Sequence, residues 1–200
     1  MILVFDTETT GFPDFKARSA DPIQPHLVQL ALVLLDDEGR ELAANSVIIR
    51  PNGWTISADT TAIHGITNEQ AMDEGIPEEV AVAMFIADQG RAAIRVAHNE
   101  SFDRRIMRIA MTRAMMERDF IEAIEGRAAY CTCNAAKPIV NLPPTGPMMA
   151  KGMTGPKPPK LTECIKHFFD EDLDGAHDTL VDARACARIY FHLQTLKAAA

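Results

Sequence analysis

The chain has 200 residues, 47% of them hydrophobic and 24% charged, and its formal net charge is −8. This composition excludes an intrinsically disordered chain and is ample for one globular domain, which we expect to span residues 1–200. The acidic balance argues against a protein that holds DNA by bulk positive charge. An enzyme that binds phosphate through divalent cations held by carboxylates is compatible with it.

The sequence predicts a protein that is neither secreted nor inserted in a membrane. No apolar run approaches the roughly 18 residues of a membrane span, and the N-terminal MILVFDTETTG lacks the basic segment and cleavage site of a signal peptide. The four cysteines are too few and too scattered for a disulfide framework. We therefore expect a cytoplasmic protein with reduced thiols and no membrane partner.

The first quarter of the chain predicts three strands. A β-branched and aromatic run, ILVF, ends at Asp6 and is typical of a buried strand. His26–Asp37 predicts a long second strand, and the segment that starts at Glu41 returns as its hairpin partner. Prolines and mixed charges between Phe12 and Pro25 predict an extended loop.

Helical signals follow, interrupted by two further strands. The predicted strands are Ala92–His98 and the short AAYC segment that ends at Cys131. The predicted helices are, in chain order, one capped by Ser57 or Asp59 that ends at His64, one opening at Thr67, one from Pro77 to about Gln89, one from Ser101 to about Phe120, one over LTECIKHFF and a last one from Asp178 to about Lys197.

A proline- and glycine-rich segment separates the fifth strand from the last two predicted helices. Asn141–Pro159 contains six prolines and three glycines, which predicts a long surface loop without regular structure. The surrounding sequence from Cys131 to Thr162 has no acidic residue but four lysines, at positions 137, 151, 157 and 160. The order of the elements indicates an α/β fold with a mixed sheet.

An aspartate followed two positions later by a glutamate occurs twice, and the positions of the two pairs distinguish them. Asp6 and Glu8 lie at the tip of the predicted buried strand, where alternation puts both carboxylates on one side. A buried acidic pair is costly without compensation, so a shared metal ion is one interpretation and a structural role the other. Asp36 and Glu38 instead lie in a hairpin turn, where acids are simply solvated.

A histidine followed five positions later by an aspartate occurs three times. His177 and Asp182 span a short loop and the first turns of the last predicted helix, which suits proton transfer beside a carboxylate that faces the sheet; Asp178 as a helix cap is the alternative. His98 and Asp103 span a strand-to-helix junction that Asn99 or Ser101 can cap. His167 leads into an acidic turn and suggests no site.

Together these patterns predict four carboxylates and one histidine at strand ends and helix starts, where open α/β sheets place their sites. Oxygen ligands without a cysteine or paired-histidine set favour Mg²⁺ or Mn²⁺ over zinc. Two such ions ~4 Å apart can activate a water and stabilise a leaving oxygen in phosphodiester hydrolysis. A histidine with a pKa of ~6.5 can accept the proton of that water.

The ordered motifs resemble the DEDDh 3′–5′ exonuclease family, which includes the proofreading exonuclease subunit of bacterial replicative polymerase, RNase T and oligoribonuclease. The resemblance covers almost the whole chain, and its later part looks particularly like stand-alone members from phages and prophages. The motifs that carry it are FDTETTG, PHLVQLA, HGIT, HNESFD and AHDTLVDA. It implies an RNase H-like fold with a mixed five-stranded sheet flanked by helices.

The resemblance also implies roles for individual residues and two bound divalent cations, Mg²⁺ or Mn²⁺. Asp6 would bridge both ions, Glu8 and Asp182 would hold one, Asp103 would support the other, and His177 would be the general base. Substrate contacts would fall on Thr9, Thr10, Gly11, His64, Asn99 and Phe102. His64 has an alternative role at the end of a helix, just before Gly65.

The implied reaction is release of 5′-mononucleotides from the 3′ end of single-stranded DNA. RNA or short oligonucleotides are alternative substrates, and a catalytically silent nucleic-acid-binding module is an alternative class. Two features leave a polymerase partner open: the 141–159 loop exceeds that of compact proofreading subunits, and no polymerase-tethering tail follows the last helix.

The remaining candidates have simple structural explanations. Cys131 and Cys133 lack a second close ligand pair for zinc. Trp54 is a single loop aromatic that can stack on a base but is more typical of packing. The arginines that follow Asp103 are typical of a solvated helix face.

Overall fold

A mixed five-stranded sheet lies at the centre of the structure, a computed structural model that describes residues 1–176 and 178–198. The spatial order is β3-β2-β1-β4-β5. The β1–β2 and β2–β3 pairs are antiparallel, whereas β1–β4 and β4–β5 are parallel. The strands are β1 (Ile2–Thr9), β2 (Leu27–Leu35), β3 (Glu41–Ile48), β4 (Ile94–Ala97) and β5 (Ala129–Cys131).

Helices cover both faces of this sheet, which confirms the predicted α/β fold. They are α1 (Ala58–His64), α2 (Asn68–Glu74), α3 (Glu78–Arg91), α4 (Glu100–Arg113), α5 (Arg118–Glu125), α6 (Thr132–Val140), α7 (Gly146–Ala150), α8 (Leu161–Phe169) and α9 (Thr179–Ala198). Within the described ranges, no helix is both long and apolar enough to cross a membrane.

The central strand β1 contributes to two separate hydrophobic clusters because its side chains alternate between the two faces of the sheet. Leu3 and Phe5 are buried in the cluster that includes residues of α3, α4 and α5. Ile2 and Val4 are buried in the cluster that includes residues of α9. The same alternation continues beyond Phe5, so neighbouring side chains at the carboxyl end of β1 lie on opposite faces of the sheet.

The caps predicted for the first two helices are present. The Ser57 side chain accepts a hydrogen bond from the backbone N–H of Thr60, and the Thr67 side chain accepts one from Gln70. Gly65 ends α1 in the left-handed conformation, with a φ of 77°, and its N–H donates to the carbonyl of Thr61. Each of the two helices therefore begins where its capping residue predicts.

The single helix predicted from Ser101 to about Phe120 is wrong, because the structure has two helices there. α4 ends at Arg113, and Met115 adopts a left-handed backbone with a φ of 56° before α5 begins. The change of direction allows Ile121 and Ile124 to be buried against the core. Since apolar residues recur at helical spacing on both sides of the break, the sequence pattern does not reveal it.

Two further helices were not predicted. α6 follows β5 directly and is capped by the Cys131 thiol, which accepts a hydrogen bond from the backbone N–H of Asn134; cysteine is not a typical cap. The proline-rich segment is not wholly irregular, because Thr145 caps the five-residue helix α7 within it. A proline in the first turn is compatible with such a start.

Candidate active site

The carboxyl end of β1 carries Asp6 and Glu8 on the sheet face that packs against α9. They continue the alternation of Ile2 and Val4, which are buried in the cluster formed with that helix. Both acidic side chains are partly buried. The predicted placement of the pair on one side of a buried strand is therefore confirmed.

Asp182 reaches the same place from the first turn of α9. The Asp178 side chain accepts hydrogen bonds from the N–H groups of Leu180 (2.9 Å) and Val181 (3.4 Å), which is the geometry of an N-terminal cap. Asp182 lies one turn before Cys186, which is buried in the cluster formed with β1, so both residues lie on the sheet-facing side.

Three carboxylates meet where β1 and α9 face each other. Asp6, Glu8 and Asp182 each offer an oxygen atom, and these atoms lie within 4.8 Å of one another. Such a spacing lets one cation contact several of them, and the donors are the hard oxygen ligands preferred by Mg²⁺ and Mn²⁺.

The proximity of these acids raises the pKa values of the two carboxyl groups on β1. Burial raises the pKa of Asp6 well above its usual value, and the neighbouring charges of Asp103, Asp182 and Glu8 raise it further. Burial, followed by the charge of Asp182, raises the pKa of Glu8 to about 7. Each ionised form is therefore costly in the bare protein, and a bound divalent cation would relieve that cost.

Asp103 approaches from the opposite face of β1 and is held by Thr7. Its Oδ1 atom accepts hydrogen bonds from the Thr7 backbone N–H (3.1 Å) and hydroxyl (2.8 Å). Thr7 lies between Asp6 and Glu8, so alternation turns its side chain toward α4, which carries Asp103. Among the described residues, the acids whose oxygen atoms lie within 4.8 Å of one another are Asp6, Glu8 and Asp182. Asp103 lies beside this group, and its charge contributes to the raised pKa of Asp6.

The environment of Asp103 both penalises and stabilises its charge. The residue is 3% exposed, and burial raises the pKa of its carboxyl group to about 8. The hydrogen bonds from Thr7 act in the opposite direction, because they stabilise the ionised form. The carboxyl group is thus fixed in orientation by Thr7, although burial penalises its charged form.

The start of α4 presents Asn99 and Phe102 beside Asp103. Asn99 has a left-handed backbone, with a φ of 72°, which asparagine tolerates better than most residues. It occupies the capping position, but its side chain makes no capping hydrogen bond, so the predicted capping by its side chain is wrong. The Ser101 hydroxyl instead donates to the Asn99 side-chain oxygen over 3.4 Å.

His98 connects this junction to the proline-rich segment rather than to the carboxylates. Its Nε2 donates to the carbonyl of Pro159 (3.0 Å), since a carbonyl can only accept, and its Nδ1 accepts from the Thr132 hydroxyl (3.0 Å). Burial lowers the pKa of His98, which keeps the ring neutral. Both ring nitrogens are therefore engaged in holding structure.

A small cleft of about 120 Å³ lies beside Glu8 and is lined by several of the predicted substrate-binding residues. Thr9, Gly11, His64 and Phe102 line it, together with Thr7, Phe12, Thr60 and Ile63. Phe12 is a residue that the sequence analysis missed. It is 90% exposed, and its ring lies edge-on to that of Phe102 at 5.9 Å. Its position directly after the TTG motif was the available signal.

The two other predicted substrate-binding residues, Thr10 and Asn99, do not line this cleft. The Thr10 hydroxyl accepts a hydrogen bond from the backbone N–H of His26 (2.8 Å), and the Thr10 N–H donates to the His26 carbonyl (3.0 Å). Thr10 therefore extends the pairing of the first two strands.

His64 combines the two roles considered for it. It is the last residue of α1 before the left-handed Gly65, and its Nδ1 accepts a hydrogen bond from the backbone N–H of Ile66 (3.1 Å). It also borders a second, more open cleft of about 450 Å³ on the side of Gly175 and Asp178. Its position at a helix end thus places it between two clefts.

A buried ion pair that the sequence pattern does not indicate fixes the start of α4. Arg95 on β4 is 3% exposed, and its Nε donates to the Glu100 carboxylate (2.9 Å). The same guanidinium donates to the backbone carbonyls of Ile124 (3.2 Å), Glu125 (3.0 Å) and Arg127 (3.2 Å). β4, the first residue of α4 and the end of α5 are thereby tied together.

The arginines that follow Asp103 do not form the expected solvated face, because Arg105 and Arg113 are partly buried and donate to backbone carbonyls of the 12–25 loop. The other sequence candidates take the structural roles expected of them. Asp36 is bonded to Arg40 within the β2–β3 turn. Trp54 stacks on His26 with ring centroids 4.6 Å apart and packs against the core. Cys131 and Cys133 are free thiols. His177 lies outside the described residues, so its predicted role as general base stays a prediction.

Comparisons with known proteins agree with this geometry. A family model described as an exonuclease, of the RNase T type, matches residues 3–190. A search of curated proteins gives no significant match.

Solved structures share the fold. E. coli exonuclease I in complex with a dA16 oligonucleotide matches 97% of this chain with a TM-score of 0.72 and 18% identity, and the match covers 40% of that chain. The zinc-bound form of the E. coli exonuclease I–single-stranded DNA complex matches 98% of this chain and 41% of its own, with a TM-score of 0.73 and 17% identity. This chain thus spans about two fifths of the exonuclease I chains.

Exonuclease X in complex with 5′-overhanging duplex DNA is similar over most of both chains. The match covers 99% of this chain and 93% of that one, with a TM-score of 0.60 and 21% identity. The family model covers nearly the whole chain, in which three acidic residues meet between β1 and α9. The chain therefore belongs to the DEDD-type 3′–5′ exonuclease family.

Proposed function

We propose that this chain is a metal-dependent exonuclease that releases 5′-mononucleotides from the 3′ ends of single-stranded DNA. The observation that carries the proposal is the group formed by Asp6, Glu8 and Asp182, whose oxygen atoms lie within 4.8 Å of one another. Repelling, partly buried carboxylates are expensive unless a cation compensates them, so this arrangement favours metal-assisted chemistry over a structural role.

The residues present fit two divalent cations, Mg²⁺ or Mn²⁺. Asp6 is central, because its pKa responds to the charges of Asp103, Asp182 and Glu8, and it is the residue that would bridge two ions. Glu8 and Asp182 would complete one ion's ligands, while Asp103, oriented by Thr7, would support the other. When bound, the ions would supply an activated water and neutralise the leaving 3′-oxygen.

The chain's own contribution to proton transfer is assigned to His177. It follows Ala176, which borders the cleft near His64, and precedes Asp178, which caps α9. His98 is unsuitable as a substitute base, because both of its ring nitrogens are engaged with Thr132 and Pro159. A histidine is well matched to the task at neutral pH.

The small cleft beside Glu8 would receive the terminal nucleotide. The rings of Phe12 and Phe102 line this cleft and could pack against a base. Thr9 and His64 add polar atoms to the same cleft. A volume of about 120 Å³ is too small for a base pair, so a duplex end would have to fray first. This size favours single-stranded 3′ ends as substrates.

DNA is the substrate we infer, and the bound ligands of similar structures support it. E. coli exonuclease I was solved with DNA oligonucleotides and exonuclease X with duplex DNA carrying a 5′ overhang. RNA and short oligonucleotides remain alternative substrates of the same chemistry. A silent binding module is the alternative class, but the complete set of four acidic residues disfavours it.

The decisive experiment is an assay with end-labelled single-stranded DNA, blunt duplex DNA and single-stranded RNA of matched sequence, with Mg²⁺ or Mn²⁺ and with EDTA. We expect mononucleotide products, fastest from single-stranded DNA, and no reaction in EDTA. Asp182→Ala is the matched inactive variant, because it removes one of the three clustered carboxylates without removing core volume.

Each part of the proposal can fail separately. Faster cleavage of RNA would overturn the substrate but not the chemistry. Equal rates on duplex and single strand would overturn the role of the narrow cleft. Internal cuts, or activity that persists in EDTA, would overturn the exonuclease mechanism itself. Binding without cleavage in every metal would identify a silent module.

A further inference from the structure

The proline-rich segment between α6 and α8 differs in charge from the rest of the molecule. The chain carries a net charge of −8, yet from Cys131 to Thr162 it contains four lysines and no acidic residue. We call residues 141–160 the basic segment. A local excess of positive charge on an acidic protein is a feature that a polyanion can recognise.

The basic segment is anchored beside the active site. The Pro159 carbonyl accepts a hydrogen bond from His98, at the junction that leads into Asn99 and α4, and lies 3.5 Å from the Cys133 sulfur. The backbone N–H of Lys157 donates to the carbonyl of Leu142 (3.1 Å), which closes the segment on itself. Lys160 thus follows directly after the residue that contacts the active-site junction.

The lysines of this segment are not equivalent. Lys157 is committed to an ion pair with Glu163, with both carboxylate oxygens 2.6 Å from its Nζ. Lys151 and Lys160 are exposed and, among residues 1–176 and 178–198, form no ion pair. Two charges are therefore available to an external ligand.

Exposed methionines flank one of the available lysines. Met149 is 59% exposed and Met153 is 49% exposed, on either side of Lys151 at the end of α7. Flexible thioether side chains adapt to irregular apolar surfaces, such as the faces of bases and sugars. Phosphate-binding cations interleaved with apolar contacts are what a single-stranded nucleic acid requires of a protein surface.

From this placement we infer that the basic segment is a docking surface for the part of a single DNA strand that lies outside the active site. Lys151 and Lys160 contact its phosphates, and Met149 and Met153 pack against its sugars and bases. The inference rests on the proposed function and extends it, because it identifies residues that bind substrate without touching the reacting phosphodiester.

The test compares the Lys151→Ala/Lys160→Ala variant with Arg40→Ala/Arg91→Ala. The control changes the net charge equally, at exposed sites near the Ile2 end of the sheet, away from the carboxylates. For each protein, kcat and KM are measured on a single strand of about 20 nucleotides and on a dinucleotide, between ~50 and ~200 mM salt. Melting temperatures verify folding.

We expect the lysine variant to have a higher KM for the long strand at low salt and an unchanged kcat/KM for the dinucleotide. Each lost contact to a phosphate of the single strand lowers the slope of log affinity against log salt concentration by ~0.7. Two lost contacts should therefore make the change in KM between ~50 and ~200 mM salt about sevenfold smaller than in the wild type. The control variant should match the wild type, and Lys151→Arg/Lys160→Arg should restore the KM.

Three results would overturn the inference while leaving the proposed function intact. They are an unchanged KM for the long strand, an equal loss in the Arg40/Arg91 control, and an equal loss on the dinucleotide. A wild-type protein that cleaves neither substrate would instead overturn the proposed function, and the docking surface with it.

Discussion

Two groups of charged side chains, one partly buried and one buried, are built in opposite ways. At the carboxylate group, Asp6, Glu8 and Asp182 lie close together, and burial and their mutual repulsion raise the pKa values of Asp6 and Glu8. At the other, the Arg95 guanidinium faces Glu100 and donates to three backbone carbonyls besides. Like charges face one another in the first group, whereas opposite charges are paired in the second.

This difference distinguishes a candidate cation-binding site from an ion pair that stabilises the fold. A buried ion pair with its hydrogen bonds satisfied is complete within the protein, and removal of one partner leaves a charge without compensation. Clustered carboxylates are complete only when a cation joins them. The Arg95–Glu100 pair orients the start of α4, on which Asp103 lies, so this ion pair supports the neighbouring carboxylate group.

The largest expected effect comes from removal of a clustered carboxylate. Asp6→Ala or Asp182→Ala should lower kcat by at least about 10³-fold, because metal ions contribute several kcal/mol of transition-state stabilisation. In EDTA the unfolding free energy should not fall, because a repulsive charge is lost. Kinetics and urea denaturation measure the two quantities. Glu38→Ala, in the other acidic pair, is the control, and near-wild-type turnover in a folded Asp182→Ala would refute the metal site.

Removal of the predicted base should act on the reaction and leave the charges of the carboxylate group unchanged. His177→Ala should lower kcat by ~10²–10⁴-fold, the usual scale for general-base catalysis. Calorimetric titration should show an unchanged affinity for Mn²⁺, and the rise of rate with pH through the histidine range should disappear. His167→Ala is the matched control. A variant that keeps both the rate and the pH profile would exclude His177 as the base.

Loss of one partner from the paired group should affect stability instead. Arg95→Met should lower the unfolding free energy by ~3–5 kcal/mol, because, among the described residues, the buried Glu100 would keep only its longer contact of 3.6 Å with Arg104. The Arg95→Met/Glu100→Leu double variant should recover much of this loss in urea denaturation. Arg118→Ala, which breaks the exposed pair with Glu122, should cause no measurable change. A double variant no more stable than the single one would contradict the account of Arg95 and Glu100.

The smallest effect is a pH dependence of the metal-free protein. Folding raises the pKa of Glu8 from 4.5 to about 7 and that of Asp103 from 3.8 to about 8. Between these values the folded state binds more protons than the unfolded state, so stability should fall as pH rises from about 4.5 to about 8.

The share of this loss that comes from Glu8 is on the order of 1–3 kcal/mol, from ~1.4 kcal/mol per pKa unit reduced for the partial exposure of its side chain. Thermal melts in EDTA and in Mn²⁺ across this range measure it, and Mn²⁺ should abolish the decline. Glu8→Gln should flatten the EDTA profile. A decline that persists unchanged in that variant would mean that other groups control the pH dependence.

The sequence was sufficient for features that depend on local pattern. Alternation along β1 placed Asp6 and Glu8 together, and the position of Asp182 in the first turn of a helix indicated that it faces the sheet. Ser57 and Thr67 marked the starts of α1 and α2 because capping requires only residues a few positions apart.

Features that depend on distant partners could not be predicted. Thr7 and Asp103 are 96 positions apart, and the sequence does not show that a hydroxyl on the opposite face of β1 orients that carboxylate. Arg95 looked like an ordinary polar residue of a short strand, because its partners lie on α4 and at the end of α5. The break at Met115 was hidden because the helical periodicity of apolar residues continues across it.

The assembly of the carboxylate group from both ends of the chain has a consequence for biosynthesis. Asp6 and Glu8 leave the ribosome at the start, whereas Asp182 arrives with α9, after every strand of the sheet has been made. A growing chain that lacks α9 therefore holds only two of the three clustered acids. The same is true of a folded intermediate in which α9 has not yet docked. The carboxylate group is therefore complete only after α9 has been made and has docked against β1.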